Sequence, residues 1–460
     1  MPAGPAAPVP QPGMLEKVGF GALTFFMFAI FSSVPDMVPG LRSIRPSLIA
    51  AVVGLVIVGI SGRVAVLLRN PIVRAFIALT VWLVLCIPFS IWPGGSASTV
   101  LGPWLVAFLA LFMAGGLIWS PGQLLGIVHL IACSAIILAV IALALDQQSI
   151  DARLMLEGSR YVNPNDLAMM GLTSLPFLGF MAMRKGNGIR RPLALGGSLA
   201  ILLVIAKTGS RGAEIGAAMA LLAVFLNVRG GQKLKLLIGG AVAFTIVMLV
   251  LPPHITRRFT TIFGDSASAG DDLTESAIGS SQNRRTLLLD SIRITFQRPA
   301  FGVGPGNFQV EQDKLARARG EEMGNWRVTH NTYTQFSSES GIPGLLFFLT
   351  ALFFCFRSIS RTLRMPAPPG LAQWQDLKMI ALTLRISLVA FLTCAFFDSL
   401  AYSASVTVLL GLSVSLEYCA VNLAATAVAP AMAAPAWQVA PSLRKRPAQR
   451  LPGRPIRTRI

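Results

Sequence analysis

Twelve long apolar runs follow one another along this 460-residue chain, near 18–34, 47–62, 72–92, 99–119, 123–145, 165–183, 192–208, 212–228, 234–252, 341–357, 377–397 and 403–425. A hydrocarbon layer of about 30 Å takes roughly 20 apolar residues in helical form. Runs of that length point to membrane-spanning helices, because in lipid every backbone N–H and C=O must be satisfied within its own segment. Only 13% of the residues are charged, about half the share in soluble domains, and a soluble enzyme is excluded. The expected fold is all-α: a polytopic membrane protein of about twelve transmembrane helices. The second run is the least secure, because Gly and basic residues crowd it.

Basic residues in short loops stay on the cytoplasmic side. With the N-terminus inside, the inner loops hold Arg63 and Arg69, then Arg184, Lys185, Arg190 and Arg191, then Arg229, Lys233 and Lys235, then Arg357, Arg361 and Arg364. A Pro-rich tail (426–460) adds seven more cations, from Arg444 to Arg459. Both termini are thus expected in the cytoplasm, with the first 17 residues as a disordered lead. Arg42 and Arg45 break the rule by falling in the first outer loop. The net charge of +19 is then mostly topology, and no nucleic-acid partner is expected, since the cations do not share one accessible face.

One segment, 253–340, is soluble-like. Between His254 and His330 it carries ten Lys+Arg and nine Asp+Glu, and it is long enough to cross the membrane regardless of charge. Loops of this length without function are uncommon. It is expected outside, between spans 1–9 (18–252) and spans 10–12 (341–425). The five cysteines all lie in apolar runs without paired spacing and read as core hydrophobes.

Three polar clusters fall at the outer face. In the first, Gly158 to Ala168, Asn165 and Asp166 resemble helix caps. In the second, Thr208 to Glu214, Ser210 can cap a helix whose first turn carries Arg211, where free N–H groups and the helix dipole already favour an anion. Arg211 could equally snorkel to the interface or pair with Glu214. The third opens on Asn283-Arg284-Arg285 and an amphipathic stretch, Leu287 to Phe296. It continues through Arg298-Pro299-Ala300-Phe301-Gly302-Val303-Gly304-Pro305-Gly306-Asn307-Phe308 and Thr329-His330-Asn331-Thr332-Tyr333 to Glu339-Ser340-Gly341-Ile342-Pro343-Gly344. His330, just ahead of a span, has a reference pKa of about 6.5 and can take a proton from a hydroxyl; it could also be a neighbour of a capping Asn331. His129, within the fifth span, reads as a satisfied buried group, and His254 as solvated. No His, Asp, Glu or Cys cluster has metal-ligand spacing, so no metal and no cofactor is expected.

Taken in order, Arg160-Tyr-Val-Asn163-Pro-Asn165-Asp, Thr208-Gly-Ser210-Arg211-Gly, Arg284 ahead of Pro299-Ala-Phe-Gly302-Val-Gly304-Pro-Gly306-Asn307-Phe, and His330-Asn-Thr-Tyr333 with Glu339-Ser-Gly-Ile-Pro-Gly resemble the O-antigen ligase and O-antigen polymerase family of bacterial inner-membrane glycosyltransferases. The resemblance covers about 158–350. It implies a large extracytoplasmic loop closing over a cavity, and transfer of a glycan from undecaprenyl diphosphate to an acceptor hydroxyl, with inversion and without metal. The acceptor is lipid A core for a ligase, or another lipid-linked glycan for a polymerase. The family's catalytic positions fall on Arg211, Arg284 and His330, with Arg285 adjacent to the second. Arg285, Asn165, Arg160, Ser210, Asn307 and Tyr333 are the expected substrate-binding residues. A twelve-helix transporter is the alternative of another class. It would call for repeated halves and midplane charges, and Glu417, inside the last span, is the main such charge.

Overall fold

The helices start where the sequence marks them. Proline stands in the first turn of many, where its missing N–H costs nothing, and Asn70, Ser120, Asn163 and Asn331 cap four of them through side-chain oxygens. The computed structural model describes residues 13–149, 152–184, 186, 188–228, 230–251, 272–320, 327–367 and 372–433, with 272–282 and 427–433 as backbone only. Lys185, Arg229, His254, the first twelve residues and the basic tail lie outside them.

In chain order the helices are α1 (Met14–Ser32), α2 (Val34–Met37), α3 (Pro39–Ile44), α4 (Pro46–Ile60), α5 (Arg63–Arg69), α6 (Pro71–Cys86) and α7 (Pro93–Gly116). There follow α8 (Pro121–Leu145), α9 (Pro164–Met183), α10 (Arg190–Thr208), α11 (Arg211–Asn227) and α12 (Gly231–Val250). After the gap come α13 (Asp272–Gln297), α14 (Phe308–Ala318), α15 (Thr332–Arg364), α16 (Ala372–Cys394) and α17 (Ala404–Ala433).

The chain is an all-α polytopic membrane protein. Among the described residues nine helices are long and apolar enough to cross a membrane, and α4 with α5 makes a tenth if that bent pair is one span. Each of the twelve apolar runs lies on a helix, but α6 and α11 have only 16 and 17 residues, below the length of a full span. The insecure second run is explained by its geometry: after Ile60 the chain turns by 88°, through Gly62 at φ +70°. Arg63 then buries its guanidinium between Trp119, 3.8 Å from the ring centre, and Tyr418, at 4.4 Å, a cation–π sandwich that offsets part of the cost of burying the charge.

One apolar core runs through the bundle, with α9 packed on α10 and α16, α7 on α17, and α6 on α15. Helix α12 touches the rest chiefly through α10, and Val247 is its one buried residue. Glu417, in the middle of α17, is held by other side chains: it accepts hydrogen bonds from Ser358 at 2.8 Å and Arg361 at 3.2 Å, both in the C-terminal part of α15 away from His330. Arg184 pairs with Asp376 at 2.9 Å at the same end.

Candidate functional site

At the opposite end the loop 146–163 folds over the bundle. Leu154 N–H donates to the Lys207 carbonyl at 3.0 Å, and the buried Tyr161 hydroxyl donates to the Ile30 carbonyl at 2.8 Å. This fastens the loop to α1 and α10 and leaves its polar residues facing a cavity of about 980 Å³. The cavity is closed by the start of α9, by α13 and by the strand of chain before α15. Arg153, Arg160, Arg284 and Arg327 line it against a single acid, Asp166. Asn165 and His330 line it too.

Arg153 is held in place by its own hydrogen bonds. Its Nε donates to the Thr208 carbonyl at 2.7 Å and its Nη2 to Asn165 Oδ1 at 2.6 Å. One guanidinium thus joins the outer loop, the end of α10 and the start of α9. Asn165 is therefore not the cap the sequence pattern indicates. Asn163 caps α9, and Asn165, one turn in, is free to accept from Arg153. Arg160 pairs with Asp36 at 3.2 Å.

A narrow cleft below the cavity is lined by Ser210, Gly212, Asn165, Arg284 and Asp398. Arg284 borders both spaces, whereas Arg285, one residue on, is exposed and borders neither. Ser210 stands at the cap position of α11 but makes no side-chain capping bond. Arg211 follows it in the first turn, half-buried beside the cleft. Asp398, in the loop between α16 and α17, accepts from the Ser399 N–H at 2.9 Å. Its other oxygen is buried and has no hydrogen-bond partner among the described residues. Burial pushes the Asp398 pKa up, against the pull of Ser399, Arg284 and Arg153.

His330 sits in a left-handed conformation, φ +50°, uncommon for a non-glycine residue although His adopts it more often than most. The backbone is held there by its N–H, which donates to Ser399 Oγ at 2.8 Å, while Thr332 Oγ1 donates to the Asp398 carbonyl at 2.8 Å. Its Nδ1 is buried and has no hydrogen-bond partner among the described residues. Burial first, then Arg284 and Arg153, drive the imidazole pKa down to about 4. The sequence expectation of a base near its reference value is corrected on this point. The ring is thus uncharged at neutral pH.

Like Arg285, two more of the expected binding residues stand outside both spaces. Asn307 is wholly buried, its amide donating to Ser90 Oγ at 2.6 Å and to Trp92 O and Ser96 Oγ at 3.0 Å. It fastens the glycine-rich turn to the loop between α6 and α7. Tyr333 donates to the Leu392 carbonyl at 3.0 Å and packs on Phe396. The glycine-rich turn itself lies on the start of α15. Val303 N–H donates to Ser338 O and Gly304 N–H to Glu339 O, both at 2.9 Å, and Gly306 N–H donates to the Glu339 carboxylate at 2.8 Å. Helix α15 breaks at Gly341 (φ 71°, ψ 179°) to let this happen.

Each of the four motifs that the sequence singles out puts a residue on the cavity or the cleft, while the glycine-rich turn of the third stands apart from both. Residues 196–349 match the family model described as O-antigen ligase. That segment is similar to the O-antigen ligase family. No curated protein matches the chain. The O-antigen ligase segment runs from α10 into α15 and so contains Ser210, Arg211, Arg284, His330 and the glycine-rich turn. Arg153, Arg160 and Asn165, which line the cavity, and Asp398, which lines the cleft, lie outside it. Sequence reading missed Arg153, Arg327 and Asp398. The signal for the first was weak but present: a cation in an outer loop where topology does not need one.

Proposed function

We propose that the chain transfers a glycan from undecaprenyl diphosphate to a hydroxyl of lipid A core at the periplasmic face, as a ligase of the bacterial inner membrane. The observation that carries this reading is the cavity in which four arginines surround an uncharged histidine at one end of a membrane bundle. In the transfer, the acceptor oxygen attacks the anomeric carbon and the bond from that carbon to the diphosphate oxygen breaks. The configuration inverts in one displacement. Arg284 and Arg153 take up charge as it develops on the leaving diphosphate, with Arg211 beside them; fixed donors of this kind are among the largest contributions an enzyme makes. His330 accepts the proton of the attacking hydroxyl. Its pKa is set for this by the substrate itself: a diphosphate between Arg284 and Arg153 cancels part of the field that holds the imidazole low, so the base strengthens when the donor is bound.

Purified protein in lipid nanodiscs, given a prenyl-diphosphate glycan and lipid A core, is expected to form an inverted linkage on the core, and His330→Ala to abolish it. Lengthening of the glycan on its lipid carrier instead would make the protein a polymerase with the same donor site. Absence of both products from an active preparation would sink the reading. Because arginines do the work of charge neutralisation here, the rate is expected to stay unchanged in EDTA; a loss reversed by a divalent cation would count against it.

A further inference from the structure

The pocket end of the bundle carries a second, separate groove of about 350 Å³ between α1, α4 and α7. Its floor is apolar, formed by buried Phe26 and exposed Leu48, Leu101 and Leu105. Its rim holds Arg42, Arg45, Arg160 and Asp36. Arg160 is taken by Asp36, but Arg42 and Arg45 are exposed and have no ion-pair partner among the described residues. Like Arg153 and Arg160, they lie in an outer loop against the charge pattern of the inner ones, so orientation in the membrane does not account for them. On the facing wall α7 carries a π-helical turn, Val100–Trp104, around Pro103, and Gly102 within it meets open space. Such turns interrupt a helix at a cost and recur at functional sites.

An apolar slot under two unpaired guanidiniums fits an amphiphile with a phosphate on its headgroup. We infer that this groove seats the acceptor of the reaction, a phosphate-bearing glycolipid, with Arg42 and Arg45 on its phosphate and its hydrocarbon chains along α1, α4 and α7. The inference rests on the transfer reading above. Two lipid-anchored substrates must keep their chains in the bilayer while their sugars meet, which requires two lipid-facing sites. The main cavity already supplies the arginines for the donor diphosphate. Arg160 borders both spaces, so a headgroup anchored in the groove lies next to the cavity that holds His330.

Native mass spectrometry of the full chain tests this with bisphosphorylated lipid A, its dephosphorylated form, undecaprenyl diphosphate and phosphatidylglycerol as probes. The wild type is expected to bind bisphosphorylated lipid A on the order of tenfold more tightly than the dephosphorylated form. The double variant R42A/R45A is expected to lose that difference while keeping undecaprenyl diphosphate, and R42K/R45K to keep most of it. Unchanged lipid A binding in R42A/R45A, loss of undecaprenyl diphosphate instead, or equal competition by phosphatidylglycerol would each overturn the assignment. Binding is read without turnover, so phosphate-dependent binding with no glycan transfer would sink the transfer reading alone, and transfer without it would sink the groove alone.

Discussion

His330 and Arg284 divide the chemistry of the cavity between a proton and a charge, and each gives a prediction of its own. With the free-enzyme imidazole at about 4, the ring is neutral above that pH and protonated below it. The profile of kcat/KM is therefore expected to hold through pH 5 and fall on the acid side near pH 4. That of kcat should fall at a higher pH, because the bound diphosphate offsets Arg284 and Arg153 and lets the imidazole keep a proton more readily. Coincident acid limbs in the two profiles would refute the coupling. At the neighbouring pair, Arg284→Ala is expected to lower kcat/KM by about 10²- to 10³-fold, whereas Arg285→Ala, which removes an exposed cation bordering neither space, should stay within about twofold. Steady-state kinetics on the purified variants checks both. The sequence leaves a choice between the two arginines because adjacent residues on a helix differ by about 100° in direction, and only the packing of α13 says which one turns inward.

At the scale of elements, the glycine-rich turn and the broken start of α15 form a clamp with no direct share in the chemistry. A methyl group at Gly341 would lie 2.0 Å from the Ala300 carbonyl oxygen, and one at Gly302 would lie 2.5 Å from Ser338 O; both backbones are also left-handed. Gly341→Ala is thus expected to destabilise by about 1–3 kcal/mol from strain alone, and to reduce the folded yield more than the specific activity of what folds. Size-exclusion recovery together with activity per folded molecule separates the two effects. The motif was legible as a run of glycines, but its purpose was not. The same residues suit a loop that approaches a ligand and a loop that approaches another backbone, and the contact made here, with Ser338 and Glu339 some 35 residues later, lies beyond local pattern. Asn307 belongs to this clamp, which is why a polar residue beside the glycines is buried against Ser90, Trp92 and Ser96. Helix positions, in contrast, were readable to within a few residues wherever an apolar run met a Pro or Asn cap.

Across the whole molecule, charge sorts by end. Arg63, Arg184, Arg361 and Arg364 gather away from the cavity, while Arg153, Arg160, Arg284 and Arg327 gather around it. With the cavity in the periplasm, a cysteine placed at Val162 in a cysteine-free background is expected to react with an impermeant maleimide on intact spheroplasts, and one at Gln375 only after lysis. The opposite pattern would invert the topology. Membrane character and the order of helices could be taken from hydropathy; the meeting of Arg153 with Arg284 and His330 could not, since it depends on how a loop of eighteen residues folds back across three helices. The same architecture leaves α12 almost alone, with Val247 as its one buried residue over twenty. A helix surrounded in this way exchanges little energy with its own protein. Its tilt answers to the thickness of the surrounding hydrocarbon, which makes it the part of the molecule that reports which membrane the protein is in.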